Sequence, residues 1–292
     1  MSPLVTYVIP SYNHAPYVRQ AVQSVINQTY ANIELLIIDD GSSDESVQLI
    51  ASMIDECNER FERFEFIAQD NQGLPNVLNF ALSWAKGKYF CGVASDDMAL
   101  PNKTATLCEC LLHKSASAVA GGYTEIDENG ITGRTQIPKQ GIWTFEEIIE
   151  RKIQLYAPAA MFLTEAIKQT GGYDAELIAE DRDMWLALSN SGHIITTIAE
   201  NVTFYRRHQK NLSANTEEMI KTRLKIYDKY PNYQNINKIK SRDLFGASRE
   251  LRPTNKKLSL FYFWNAICLS PLTLFSKSGL RAIKAIIRGL IE

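Results

Sequence analysis

"LVTYVIPSYNHAPYVRQAVQSVINQTYANIELLIIDD", residues Leu4 to Asp40, decides how this chain folds. Two apolar runs, Leu4 to Pro10 and Ile33 to Asp40, flank a segment in which Val18, Ala21, Val22, Val25 and Ile26 recur at helical spacing. The second run is continuous rather than alternating, which suits a strand covered on both faces, as in a parallel sheet. The stretch therefore reads as a strand, helix, strand unit.

The same alternation continues. "SDESVQLIASMIDECNER" predicts a helix opening at Ser43 or Asp44, "FEFIAQ" a strand, "LPNVLNFALSWAKG" a helix, "KYFCGVA" a strand and "PNKTATLCECLLHKS" a helix. "AVAGGYTEID" followed by "GITGRTQIP" reads as a strand and a Gly-rich turn. "TFEEIIERK", "TEAIKQTGG" and "DRDMWLALSNSG" read as helices, the last opening just after Glu180 and Asp181, and "HIITTIAENVTFYRRH" as extended chain. Strands alternating with helices imply an α/β fold with a doubly wound, mostly parallel sheet, whose ligands bind at the carboxyl ends of the strands. Residues 1–213 are expected to form that domain, in halves of 1–100 and 101–213. Residues 214–292 form a helical extension.

Composition narrows the function. At 292 residues with a net charge of −2 and a pI near 6.2, the chain has no general attraction for nucleic acid. Its five cysteines are scattered without a CxxC pair, and it has only four histidines. That favours reduced thiols in a cytoplasmic setting over a zinc or disulfide framework. The opening "MSPLVTYVIPSYN" carries no basic, cleavable leader pattern, so no signal peptide is expected.

Two aspartate pairs, Asp39/Asp40 and Asp96/Asp97, fall at predicted strand ends. An adjacent pair there suits a divalent cation that bridges to a diphosphate, because hard oxygen ligands fit Mg²⁺ or Mn²⁺ and the ion offsets the like charges. A solvated turn or a helix cap before Pro101 is the plainer alternative.

Four blocks together resemble the inverting family 2 glycosyltransferases of GT-A fold: "VIPSYNHAPYVRQAVQSVINQTYANIELLIIDDGSSDES", "NQGLPNVLNFALSWAKGKYFCGVASDDM", "GGYDAELIAEDRDMWLALSNSG" and "FYRRHQKNLS". The resemblance implies that Pro10, Ser11 and Tyr12 form the first strand-end loop, with Tyr12 stacked on the nucleobase, and that Asp39 accepts a hydrogen bond from base or ribose. Asp40 reads as a turn residue. Asn71, Gly73 and Asn79 also match, Asn71 and Gly73 as part of the nucleotide-sugar site. Asp96 and Asp97 are implied in ribose contact and metal binding, in either order, with His208 near the metal and Arg206 or Arg207 on phosphate oxygens. The catalytic base is implied to be Asp181, with Glu180 as the alternative, while Asp183 charges the helix start.

The chain departs from the family pattern at Ala94, where an aspartate is common, and at Leu78 and Ala187, where arginines are common. The resemblance implies a nucleoside-diphosphate sugar donor (UDP-, dTDP- or GDP-linked), a Mn²⁺ or Mg²⁺ cofactor, and a glycan or polyprenyl-linked acceptor. It also implies a role in bacterial capsule, O-antigen, lipopolysaccharide or other surface polysaccharide. A non-catalytic nucleotide-sugar-binding module, or a membrane-attached assembly protein, is the alternative that these departures keep open.

The last forty residues have their own character. Arg252, Lys256, Lys257, Lys277, Arg281, Lys284 and Arg288 face a single acid, Glu292. Leu280, Ile283, Ile286, Ile287 and Leu290 share the final helix with four of those bases. Such a basic amphipathic helix either lies peripherally on the anionic inner face of the inner membrane or packs on protein. Asn265, Ser270 and Pro271 interrupt the apolar run before it and disfavour a spanning helix.

Overall fold

A computed structural model describes residues 2–208, 211 and 215–291. The chain forms two compact units, one of Met1–Glu176 with Glu180–His208, the other of Leu177–Ala179 with Gln209–Glu292. In the first unit β1 (Val5–Ser11), α1 (Val18–Ile26), β2 (Ile33–Asp40), α2 (Ser46–Ala51), α3 (Ile54–Arg60), β3 (Phe64–Gln69), α4 (Leu74–Trp84) and β4 (Tyr89–Gly92) follow one another. They build a parallel order β3-β2-β1-β4. Every residue of β2 is buried, as a strand covered on both faces requires.

Beyond β4 come β5 (Met98–Ala99), α5 (Lys103–Lys114), β6 (Ala118–Ile126), β7 (Thr132–Gln136), β8 (Gly141–Trp143), α6 (Phe145–Ile149), β9 (Ala160–Leu163), α7 (Thr164–Gln169), α8 (Glu180–Asn190) and β10 (Ile195–Arg206). Here the sheet is mixed. β9 runs antiparallel between β4 and β6, while β10 lies parallel to β6 and antiparallel to β5. Val5, Tyr7, Leu35 and Ile37 of the sheet pack with Val22 and Val25 of α1, Cys57 of α3 and Leu107 of α5 in one apolar core.

Two local expectations need correction. The helix read from Ser43 or Asp44 starts at Ser46 and breaks before Ile54. Asp44 is otherwise engaged: its carboxylate accepts from the N–H of Ala15 at 3.0 Å, the N–H of Ser46 at 3.0 Å and the Ser46 hydroxyl at 2.5 Å. "GITGRTQIP" is not merely a turn, because Thr132–Gln136 pairs antiparallel with β6 as an exposed strand.

Register sets the site. Ser11 stands opposite Asp39 where β1 and β2 end together. Gly41 then turns the chain with φ +80°, and a Cβ there would lie 2.8 Å from the Asn71 nitrogen. Glycine serves both the left-handed conformation and the close approach.

The second unit holds α9 (Thr216–Asp228), α10 (Ile236–Leu251), α11 (Lys256–Leu269) and α12 (Lys277–Ile291). Ile220, Leu244, Phe245, Tyr262, Ala266 and Ala282 form its core. Of the amphipathic α12, Ala282 faces this core, while Leu280 and Ile287 are exposed beside Lys277, Arg281 and Lys284. The side chains of Arg288 and Leu290 lie outside the described set, as do Gln209, Lys210, Leu212 and Ser213 of the last matched block. No helix among the described residues is long and apolar enough to cross a membrane. All five cysteines are free thiols, with Cys268 alone exposed.

Candidate active site

The loop after β1 is built by its neighbours. Asn13 adopts φ +53°, a left-handed conformation that asparagine tolerates. Its N–H donates to Ser42 Oγ at 2.8 Å, and its side-chain oxygen accepts from the Ser43 N–H at 2.8 Å. Tyr12, at the tip, is half exposed, so its ring face is available to a planar ligand. Pro10 pairs with Ile38 one residue before the end of β1.

Asp39 is fully buried and already well supplied with donors. It accepts from Ser11 Oγ at 2.9 Å, Ser42 N–H at 2.8 Å and Ser42 Oγ at 2.7 Å. Asp40 behaves as the turn residue the sequence suggests. It accepts from Gln69 Nε2 and from the N–H groups of Gln72 and Gly73, each at 2.8 Å, and so fixes the loop that opens α4. Asn71 donates to the Asp40 carbonyl at 2.9 Å.

The second aspartate pair divides its labour. After β4 the chain turns tightly, the Asp97 N–H donating to the Ala94 carbonyl at 3.0 Å. Asp96 then meets His208, with Nε2 2.9 Å from Oδ2. Asp97 points elsewhere: its Oδ1 accepts from the Arg206 N–H at 2.8 Å, and its buried Oδ2 has no hydrogen-bond partner among the described residues. Burial, reinforced by the Asp96 charge, holds the Asp97 carboxyl well above the usual range.

A third group joins Asp96 and His208 that the sequence did not flag. His14 Nε2 lies 3.8 Å from the same Asp96 Oδ2, and its Nδ1 lies 2.8 Å from Ser95 Oγ. One donor atom from each of His14, Asp96 and His208 falls within 4.8 Å of the others, a grouping able to hold a divalent ion. The residues present thus fit a metal, although Asp97 is not among those brought together. The signal in the sequence was an imidazole two residues past Tyr12, in the loop that leaves the first strand.

The two arginines are used differently from one another. Arg206 is buried and gives its guanidinium to protein acceptors: Nε to the Asp96 carbonyl at 2.9 Å, Nη1 to the Asp127 carbonyl at 2.9 Å and Nη2 to Gln20 Oε1 at 2.6 Å. It also lies over Tyr17, which stacks on His208. These bonds make Arg206 an inward clamp on the loop of Asp96. Arg207 is exposed and pairs with Glu125 at 3.0 Å.

The acid pair opens α8, with Glu180, Asp181 and Asp183 in its first turn, where the helix N-terminus favours negative charge. The approach to it is tied to α4. Asn79 donates to the Tyr173 carbonyl and accepts from the Tyr173 N–H, both at 2.7 Å. Glu180 and Asp181 are half-buried. Burial, then the Asp181 charge, pushes the Glu180 carboxyl up to about 8. Burial also raises Asp181, against the opposing pull of N–H donors from Arg182 and Ala157 and the Arg182 charge. Both carboxyls are thus raised chiefly by burial, with the donors to Asp181 favouring its ionised form.

Comparison with known proteins bears on this arrangement. The model of the family "Glycosyl transferase family 2" matches residues 6–165. Glycosyltransferase GlyG of Streptococcus pneumoniae serotype 4 is 35% identical over 130 residues, 44% of this chain and 42% of its own length. An uncharacterised glycosyltransferase of Rickettsia bellii is 36% identical over 132 residues, again 44% of this chain but 18% of its own. The matched stretch thus spans less than half of either relative. Among solved structures, S. aureus TarS 1–349 in complex with UDP-GlcNAc superposes with a TM-score of 0.67 at 15% identity, over 98% of this chain and 89% of that one. The mannosyltransferase PcManGT of Pyrobaculum calidifontis, in complex with GDP-Man and Mn²⁺, gives 0.65 at 15% identity over 99% and 88%. At such identities the likeness is one of fold.

Proposed function

The chain belongs to glycosyl transferase family 2, and from that premise we propose that it moves one sugar, with inversion, from a nucleoside-diphosphate sugar to a hydroxyl of a glycan or lipid-linked acceptor. The observation that carries this reading is the acid pair that opens α8, where the Asp181 carboxylate accepts from the Arg182 N–H at 2.6 Å. Inversion requires a single carboxylate that takes the acceptor proton as the oxygen attacks opposite the leaving group. Asp181 is that base. Its backbone donors orient the carboxylate and favour its charged form.

Residues 1–213 form the catalytic domain in this reading. Tyr12 stacks on the base of a UDP-, dTDP- or GDP-sugar, and the strand-end loop of Pro10, Ser11 and Asp39, with Asn71 and Gly73, shapes the nucleoside pocket. Asp96 and His208 hold a divalent cation, Mn²⁺ or Mg²⁺, which when bound supplies positive charge to the departing diphosphate. Arg206 keeps Asp96 and the 206–208 segment in place from behind.

Residues 214–292 serve attachment. Phe261 and Trp264 of α11 and Leu272 and Phe275 of the short helical turn 271–275 are exposed apolar side chains, and Lys256, Lys257, Lys277, Arg281 and Lys284 of α11 and α12 are exposed bases. Exposed apolar anchors together with bases suit an anionic leaflet. Peripheral binding to the cytoplasmic face of the inner membrane would bring the enzyme to a polyprenyl-linked acceptor, as in assembly of a bacterial surface polysaccharide.

The test supplies the full chain with UDP-, dTDP- and GDP-sugars, Mn²⁺ or Mg²⁺ and a glycolipid acceptor pool, and follows release of nucleoside diphosphate. Asp181→Asn should lower turnover by about 10²- to 10⁴-fold, the usual contribution of a general base. Release that is indifferent to Asp181→Asn refutes the assignment of the base. Donor binding without release from any pool would make the chain a nucleotide-sugar-binding module.

A further inference from the structure

The metal reading above uses Asp96 and His208. We propose that His14 is a third ligand, making this a two-imidazole, one-carboxylate site that selects Mn²⁺, Co²⁺ or Zn²⁺ over Mg²⁺. The inference rests on that metal reading and specifies its ligand set.

The geometry is that of ligands around one ion. Two donors each about 2.1 Å from a metal stand roughly 3.0 Å apart at a right angle and roughly 4.2 Å apart when opposite. His208 Nε2 and His14 Nε2 lie 2.9 and 3.8 Å from the same Asp96 oxygen. Three separate parts of the chain, the loop after β1, the loop after β4 and the end of β10, deliver these atoms to one place.

The surroundings of His14 fix its orientation. Its Nδ1 is engaged by Ser95 Oγ at 2.8 Å, and its backbone N–H donates to Ser46 Oγ at 3.0 Å. A ligating histidine is ordinarily held in this way through its other ring nitrogen. In the tautomer in which Nδ1 donates to Ser95, Nε2 presents its lone pair toward the Asp96 carboxylate, an arrangement that a cation between them would make attractive. His208 is held as well, by stacking on Tyr17 with ring centroids 5.4 Å apart.

Selectivity follows from donor chemistry. Mg²⁺ prefers oxygen and water, whereas imidazole favours the later transition ions and Zn²⁺, and Mn²⁺ accepts both donor types. A site with two imidazoles and one carboxylate penalises Mg²⁺ in particular.

The experiment titrates the full-length chain with Co²⁺ and follows the visible absorption of the bound ion, then competes it with Mg²⁺ and Mn²⁺. One Co²⁺ should bind, Mn²⁺ should displace it, and Mg²⁺ should do so only at least ~10-fold less effectively. His14→Ala should weaken Co²⁺ binding by at least ~10-fold, the lower end of what even outer-shell changes cost. His113→Ala, at an exposed histidine on α5, should change nothing. X-ray absorption on Co²⁺ bound to the unaltered chain should count two imidazoles, a readout that needs no variant to fold.

The outcomes separate the two ideas. If Co²⁺ binds, Asp96→Asn abolishes binding, and His14→Ala leaves it intact with one imidazole counted, the metal reading stands and the His14 proposal is overturned. If neither Co²⁺ nor Mn²⁺ binds, with or without a nucleoside diphosphate present, both fall.

Discussion

Replacing Arg206 by methionine separates an inward clamp from a phosphate ligand. The side chain is 1% exposed and makes three close hydrogen bonds, to the carbonyls of Asp96 and Asp127 and to Gln20. Each hydrogen bond from a charged donor contributes about 1.5–3 kcal/mol, yet the sum overstates the loss because the buried guanidinium itself costs desolvation. Removing a buried charge from its partners typically costs about 3–5 kcal/mol. In a domain of this size 1 kcal/mol corresponds to roughly 2–4 °C in Tm, so Arg206→Met should melt about 6–20 °C lower. Arg206→Lys should recover little, since one ammonium cannot reach three acceptors in a fork. Arg207→Met is the control. It removes an exposed ion pair with Glu125 and should cost at most about 1 kcal/mol. Calorimetry or circular dichroism melts of the three variants decide the matter. An Arg206→Met protein that melts within ~2 °C of the parent but loses donor affinity would refute the clamp, because a domain of this size registers 1 kcal/mol as that much.

Two further outcomes follow from the acid pair and the C-terminal unit. The folded chain keeps a proton on Glu180 up to about pH 8 that the unfolded chain releases near 4.5, so this group's contribution is complete at low pH and is lost as pH rises through that window. Glu180→Gln should flatten the decline of Tm between those limits and leave the low-pH limb of kcat/KM, set by Asp181, in place; an unchanged slope contradicts the raised carboxyl. For attachment, Trp264→Ser with Phe275→Ser changes only exposed side chains, 62% and 75% accessible, whereas cutting at Arg252 would remove Tyr262, Ala266 and Ala282 from the core. At about 1.5–3 kcal/mol per fully buried side chain, the double variant should bind phosphatidylglycerol vesicles at least ~10-fold more weakly, measured by co-sedimentation. Equal sedimentation of parent and variant removes the membrane reading.

Much of the fold was legible because buried parallel strands announce themselves. β2 was read to the residue, Ile33 to Asp40, since both faces are covered and no alternation is needed. β5 and β8 leave no trace in the sequence because two or three residues are too few to show a period, and β7 reads as a turn because its glycine lies in an exposed strand with no apolar face. The site shows the same division. Asp96 and His208 were named from local motifs, and the structure brings them together. His14 is more than eighty residues from one partner and nearly two hundred from the other, so only folding unites them. Arg206 and Arg207 look equivalent in sequence, yet Arg206 is the buried last residue of β10 while Arg207, just beyond the strand, is exposed.

Ala94 bears on the charge of the site. A carboxylate at that position would add negative charge beside Asp96, and the chain has none there. Asp97, meanwhile, is turned away to the Arg206 backbone. The cluster thus offers one carboxylate and two neutral imidazoles, a charge of −1 when the imidazoles are unprotonated. With a divalent ion the same atoms would carry a net positive charge, whereas a site with two or three carboxylates would be neutral or negative. Positive excess is what a leaving diphosphate needs, and it is greatest when histidines replace acids. Restoring the carboxylate by Ala94→Asp should therefore move the site toward Mg²⁺, visible as a smaller ratio of Mg²⁺ to Mn²⁺ concentrations for half-displacement of Co²⁺. An unchanged ratio would mean that position 94 lies beyond electrostatic reach of the ion.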